Sequence, residues 1–284
     1  MIPFTNEQDI GNLTVYAFTT GYRPAKKEIQ VSAGVSNNVV IRIVKDKLVE
    51  GELTFRRMTL DEVKAAGLDI KAPENQYVYS FNIHLGYTVV CNSFGQIANN
   101  STYTIREYDS TTNSNKTTNV YVNAIPSKDV KRPPTIVYIE LPGDVSMLKE
   151  FFMVNLRVKN LAEDEEFVIE DAKAKLNVPS GLTIVKGNAE QNLTPKDIPG
   201  GSEGNSSWIV RGDKKGSYNI SADFSGVLQP FDEQISATFA SKNPIVVEGN
   251  SNLKIIVEVE ERKYPNEDYY LYRVGLQNGN DNEI

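Results

Sequence analysis

The sequence predicts an all-β chain made of sandwich modules, with one short helix near 60–66. Three observations carry that prediction. Apolar and polar residues alternate with period two in run after run, clusters of turn-forming residues separate the runs, and one strand pair recurs near the end of the chain.

The helix comes first among the clear signals. In Thr59-Leu60-Asp61-Glu62 the threonine can cap the first turn while the glutamate reaches back to it. LDEVKAA follows, and Gly67 suits a left-handed stop. The next element is a strand in which Tyr77, Tyr79, Phe81, Ile83 and Leu85 share one face, with Ser80, Asn82 and His84 on the other. The same alternation marks Phe152/Val154/Leu156/Val158, Ala172/Ala174/Leu176/Val178, Tyr218/Ile220/Ala222/Phe224 and Ile235/Ala237/Phe239. Each reads as a strand with one buried and one wet face, as antiparallel sandwich sheets have. The clusters GVSNN, NSFGQIANNS, STTNSNKTTN and DIPGGSEGNSS punctuate them.

Length and composition bound the rest. A chain of 284 residues accommodates about two domains. A net charge of −7 opposes nucleic-acid binding, which needs a concentrated basic face. No run of apolar residues reaches membrane-spanning length, and the first residues lack the pattern of a secretory signal. One cysteine (Cys91) permits no internal disulfide, and with one histidine (His84) zinc and thiol–imidazole chemistry have few groups to work with. No cofactor is expected.

Prolines and charges at 126–134 suggest a linker, and Gly249-Asn250-Ser251-Asn252 suggests a second boundary. These divide the chain into an N-terminal β-sandwich region (1–130), a second sandwich (131–250) and the first strands of a further, truncated module (251–284). The internal repeat supports the last division. IVYIE (136–140) precedes FFMVNLRVKN (151–160), and IIVEVE (255–260) precedes YYLYRVGLQN (269–278), with a connection that reads as two residues shorter.

Residues 135–250, through FFMVNLRVKN, KLNVPSGLTIV, WIVRGDKKGSYNISADFSGVLQPF and NPIVVEG, resemble immunoglobulin (Ig)-like modules found in tandem in very large surface or secreted proteins of Firmicutes. GYRPAKKEIQVSAGVSNNVVIRIVK resembles the closing strands of a carboxypeptidase-regulatory-like sandwich, placed at 1–47. LTFRRMTLDEVKAAGLDIKAPENQYVYSFNIHL is similar to a companion segment seen beside it, placed at 48–130. The resemblance implies tandem Ig-like architecture and an extracellular or cell-surface location, and it brings no catalytic residues.

Among candidate sites, Arg211-Gly212-Asp213 matches the integrin-binding tripeptide. Trp208 and Val210 alternate inward before it, and Tyr218, Ile220 and Ala222 after it. RGDKKG therefore reads as a hairpin turn, with Gly212 and Gly216 free to take positive φ. The acidic runs 163–166 with 170–171, and 278–283, lack the ligand register of a calcium loop and read as solvated loops. Lys159 and Lys175 are conceivable donors to an intramolecular isopeptide bond, but both fall on the polar phase of their strands. Cys91 with Gln96 lacks the surroundings of a thioester and reads as an inert thiol, and His84 reads as a surface residue. The Asn-x-Ser/Thr sequons follow from Asn- and Thr-rich turns, and most aromatics, Trp208 included, fall on inward phases.

The expectation is therefore a non-catalytic structural or adhesive segment of a large multi-module protein. Its partners are neighbouring modules of the same chain and a host or cell-wall protein or glycan. An accessory, carbohydrate-directed region of a secreted enzyme is the alternative. A hydrolase acting through paired carboxylates is the third class, and no paired-acid motif is found for it.

Overall fold

The alternating runs form sheet in the computed structural model, which is that of an all-β chain. The structure describes residues 11–18, 22–23, 25–31, 39–45, 55–72, 77–83, 87–109, 114–129, 131–142, 148–248, 254–264 and 267–277. His84 and the run 278–283 lie outside them.

The centre of the molecule is a six-stranded antiparallel sheet. Its order is β13 (Leu182–Lys186), β15 (Glu203–Gly212), β11 (Phe151–Asn160), β10 (Thr135–Pro142), β9 (Ser114–Ile125) and β8 (Thr102–Asp109). A four-stranded sheet runs β14 (Glu190–Asn192), β12 (Ile169–Asn177), β17 (Ser221–Leu228) and β18 (Glu233–Ala240). The two share one core. Val137, Ile139, Phe152, Val154, Leu156, Val158, Trp208 and Val210 of the first meet Ala172, Ala174, Leu176, Ala222, Phe224 and Phe239 of the second. This region is thus sandwich-like in its packing. A short pair, β16 (Gly216–Tyr218) with β19 (Ile245–Val247), adds Ile245 and Val247 to that core.

The opposite face of the six-stranded sheet is also covered. A three-stranded sheet, β5 (Phe55–Met58), β6 (Val78–Asn82) and β7 (Thr88–Asn92), places Tyr79, Phe81, Val89 and Cys91 against Ile105, Val120, Val122, Ile136 and Tyr138. A sheet buried on both faces cannot be half polar, which is why β10 reads TIVYIELP with only its last residue less than fully buried. The helix α1 (Leu60–Ala65) joins β5 to β6, and its capping box is complete. Glu62 N–H donates to Thr59 Oγ1 at 3.2 Å, and Thr59 N–H donates to Glu62 Oε2 at 2.8 Å.

The stretch 126–134, expected as a linker, connects β9 to β10, which pair directly from Ile125↔Thr135 to Thr118↔Pro142. It is held down as well. The Arg132 guanidinium lies 3.9 Å from the centroid of Phe231, whose ring stacks on Phe167 at 5.5 Å, and Arg132 Nη2 donates to Glu233 Oε2 at 3.3 Å. The six-stranded sheet therefore runs across the boundary expected at 130/131.

Strands from both ends of the chain form a mixed sheet. Its order is β21 (Glu267–Gln277), β20 (Lys254–Tyr264), β1 (Gly11–Phe18) and β3 (Ala25–Val31). β20 runs parallel to β1, with Val15 opposite Ile255. A two-residue pair, β2 (Tyr22–Arg23) with β4 (Val44–Lys45), completes the strands.

The hairpin β20–β21 repeats β10–β11 in strict register. Ile136↔Lys159, Val137↔Val158, Ile139↔Leu156 and Glu140↔Asn155 become Lys254↔Gln277, Ile255↔Leu276, Val257↔Val274 and Glu258↔Arg273. Both members of each pair move on by the same 118 residues. The connection is therefore equal in length in the two copies. Aligning IVYIE with IIVEVE by apolar content alone misplaced the first strand by a residue or two, because neighbouring apolar residues look alike until pairing fixes the register.

Candidate functional site

Arg211-Gly212-Asp213 lies where β15 leaves the central sheet. β15 pairs with β11 and β13, whereas β16 pairs with β19, so the two strands flanking RGDKKG are not partners. The expected hairpin turn is instead a crossing from one sheet to another. Nor does Gly212 need positive φ, which is recorded for Gly181 and Gly216 but not for Gly212. A Cβ on Gly212 would lie 2.9 Å from Val247 Cγ1, so close packing is what requires glycine there.

The crossing is tied to two other loops. Asp213 and Lys214 N–H both donate to Gly181 C=O, at 2.8 and 3.2 Å, and Lys149 N–H donates to Gly212 C=O at 2.7 Å. The Asp213 carboxylate is fully engaged. Arg211 Nε and Lys149 Nζ donate to Oδ1, each at 2.8 Å, while Arg211 Nη2 (3.3 Å) and Thr183 Oγ1 donate to Oδ2. Burial pushes this carboxyl up, but the donors from Arg211, Lys149 and Thr183 outweigh it and bring its pKa down to about 2. A receptor metal ion seeking Asp213 must displace two cationic side chains of the same chain.

A second cluster was not anticipated. Along β10, β11 and β15, on the face away from the main core, lie Tyr138, Glu140, Asn155, Arg157, Lys159, Glu203 and Ser207. Arg157 Nε donates to Glu140 Oε1 at 3.1 Å and its Nη1 donates to Glu203 Oε1 at 2.7 Å. Lys159 Nζ and Tyr138 Oη both donate to Glu203 Oε2. Asn155 Nδ2 donates to Glu140 Oε2 at 3.2 Å, and Asn155 Oδ1 accepts from Ser207 Oγ at 2.7 Å. The side chains of Arg157 and Lys159 are each 2% exposed. Two cations and two carboxylates balance, so the cluster is neutral as a unit. Burial lowers the Lys159 pKa despite Glu203 beside it. Burial also opposes the Arg157 charge, but Glu140, Tyr138 and Glu203 outweigh that and raise its pKa. The Tyr138 hydroxyl is pushed up by burial. These groups bond one another across three strands, which makes the cluster an internal cross-brace.

Lys159 keeps the polar phase the alternation assigned to it, yet it is buried, because this face is covered too. Its partner is Glu203, and Asn155 on the same strand face is four residues away, roughly 13 Å along an extended strand. The Lys–Asn–carboxylate grouping an isopeptide bond needs does not form between these two. Lys175 is exposed.

The remaining candidates resolve individually. Glu163, Asp164, Glu165 and Glu166 are exposed, and Asp164 Oδ1 accepts from Glu166 N–H at 3.0 Å in a local turn. Asp171 pairs with Lys196 at 2.9 Å. Among the described residues no three of His, Cys, Asp and Glu converge as a metal site would require. Cys91 is fully buried and its thiol is pushed far up by that burial, while Gln96 Oε1 accepts from Asn92 Nδ2 and Lys71 N–H. Trp208 is in the core, with Nε1 donating to Asn188 C=O at 2.7 Å, and Tyr218 packs beside it. Asn160, the terminal asparagine of the first repeat, ties down the loop that follows β11. Its Nδ2 donates to Phe167 and Ile198 C=O, and its Oδ1 accepts from Ala162 N–H.

No family model matches the sequence, and no curated protein matches it.

Proposed function

We propose that this chain is a non-catalytic structural or adhesive segment of a large bacterial cell-surface or secreted multi-module protein, with an Ig-like sandwich at its centre. The observation that carries the reading is the hairpin repeated at a constant interval of 118 residues, about the length of one sandwich module. One further feature supports it. Chemistry-bearing side chains are spent on bracing: the Glu140–Arg157–Glu203–Lys159 cluster is buried, and Asp213 is consumed by Arg211, Lys149 and Thr183. No helix among the described residues is long and apolar enough to cross a membrane.

The tandem Ig-like family of Firmicutes surface proteins is the family this reading points to, and the carboxypeptidase-regulatory-like assignment of 1–47 belongs to the same proposal. The test is a glycan array followed by titration calorimetry on each hit. A structural segment gives no saturable sugar binding up to millimolar concentration. A saturable hit at or below a millimolar dissociation constant would move the chain to the accessory, carbohydrate-directed class.

A further inference from the structure

The hairpin β17–β18 has a counterpart too. Thr102↔Tyr121 and Asp109↔Ser114 of β8–β9 become Ser221↔Ala240 and Leu228↔Glu233 of β17–β18, each member moved on by 119 residues. Burial follows the same phase. Ile105 and Val120 lie in the core shared with β6 and β7, and their counterparts Phe224 and Phe239 lie in the core of the central sandwich. The repeat therefore takes in two hairpins, β8–β9 with β10–β11 and then β17–β18 with β20–β21, and the second copy has one residue fewer between its hairpins. The copies differ at the junction. In the first, β10 lies against β9. In the second, β18 ends its sheet among the described strands and β20 lies against β1. We propose that β20 has a second seat on the free edge of β18, antiparallel as β10 is to β9, which it takes by leaving β1.

Register and burial both name β20 as the occupant. Carried over by the same intervals, Tyr121↔Ile139 and Asn119↔Leu141 of the first junction become Ala240↔Val257 and Thr238↔Val259 of the second. Tyr121 turns away from the core that holds Val120 and is buried in that of the following sandwich. Ala240, its counterpart, is exposed. Residues 233–240 contain no proline and no lysine, so the edge of β18 is not guarded against a further strand. The two seats exclude each other, because β21 holds one edge of β20 and leaves a single edge for β1 or β18. With β20 on β1, residues 11–18 and 254–264 are tied into one sheet. With β20 on β18, the second junction becomes a continuous sheet like the first, and each module is braced by its neighbour. The inference rests on the repeat that also carries the proposed function.

The test is a disulfide trap in the full chain, formed at low protein concentration in a glutathione buffer and read by peptide mapping. Cys91 is fully buried and stays out of the reaction. Ala240→Cys with Val257→Cys joins register partners and is expected to close. Thr238→Cys with Val257→Cys is out of register, too widely spaced for a disulfide, and is expected to stay open. Closing 240–257 is also expected to remove protection from hydrogen exchange in 11–18, relative to the reduced form of the same variant, because β1 then loses β20. No closure at 240–257, equal closure of the two pairs, closure only between two chains, or closure that leaves exchange in 11–18 unchanged would overturn the proposal. Exchange in the unsubstituted chain separates this inference from the reading it rests on. Fast exchange throughout 254–264 and 267–277 removes the hairpin and the module reading with it, whereas protected amides there without closure at 240–257 remove the second seat alone.

Discussion

Asp213 shows how one residue can be legible in type and misread in role. The sequence shows a charged loop, but not that Lys149 and Thr183, 64 and 30 residues away, turn their donors onto its carboxylate. Replacing Asp213 with Ala leaves those donors without their acceptor and is expected to cost about 2 kcal/mol in urea unfolding. The pH dependence follows from its lowered pKa. In the folded state Asp213 stays ionised down to about pH 2, against an ordinary value of 3.8, so its contribution is complete above about pH 5 and is lost as pH falls from there toward 2. Wild type should lose more stability than Asp213→Ala over that interval, and parallel curves would contradict the network. Asp213→Glu tests the receptor question separately. Cell attachment, if measured, should be unchanged, whereas attachment that is blocked by anti-integrin antibody and abolished in this variant would make the tripeptide a ligand. The Arg157 cluster was hidden for a related reason. Alternation reports two faces of a strand and is silent on whether the polar one is covered. Arg157→Met leaves Glu140 and Glu203 buried without their shared cation and is expected to cost about 3–5 kcal/mol, well above the cost of Lys196→Met at the exposed pair with Asp171. Equal shifts in denaturation midpoint would mean that the cluster is not a brace.

Elements were most legible where a local rule sufficed. Thr59 through Glu62 announced α1, and the structure places Leu60–Ala65 there with both capping hydrogen bonds made. The alternating runs around Phe152, Ala172, Tyr218 and Ile235 all fall on or beside strands, with Trp208 in the core as expected. What local rules missed were pairings. RGDKKG has the composition of a hairpin, but β15 is already flanked by β11 and β13, so the chain must leave the sheet. The glycines at this crossing differ in their reasons. Gly181 sits at φ +111° with the Tyr218 hydroxyl 2.3 Å from where a Cβ would be, while the atoms nearest to a Cβ on Gly212 are those of the Val247 side chain. Gly181→Ala should therefore destabilise more than Gly212→Ala, by at least about 1 kcal/mol in thermal or urea unfolding. The reverse order would show that Val247 cannot give way and that Tyr218 can.

At the scale of the molecule, composition and period indicated an all-β chain, while the grouping of strands into sheets was beyond them. Proline-rich 126–134 looked like a linker because prolines and charges do not join ladders. Yet a nine-residue connection between antiparallel neighbours has the same composition, and Arg132 against Phe231 holds it in place. The central body that results runs from β8 to β19, and its integrity under load is what a spacing or presenting segment needs. Single-molecule pulling on the chain, held between two reference domains, measures that property directly. The account predicts that residues 102–248 rupture as one event, releasing about 500 Å of extended chain at roughly 3.4 Å per residue. A first release of only about 390 Å would mean that 135–248 unfolds apart from β8 and β9. Smooth extension with no rupture at all would contradict the structural role itself.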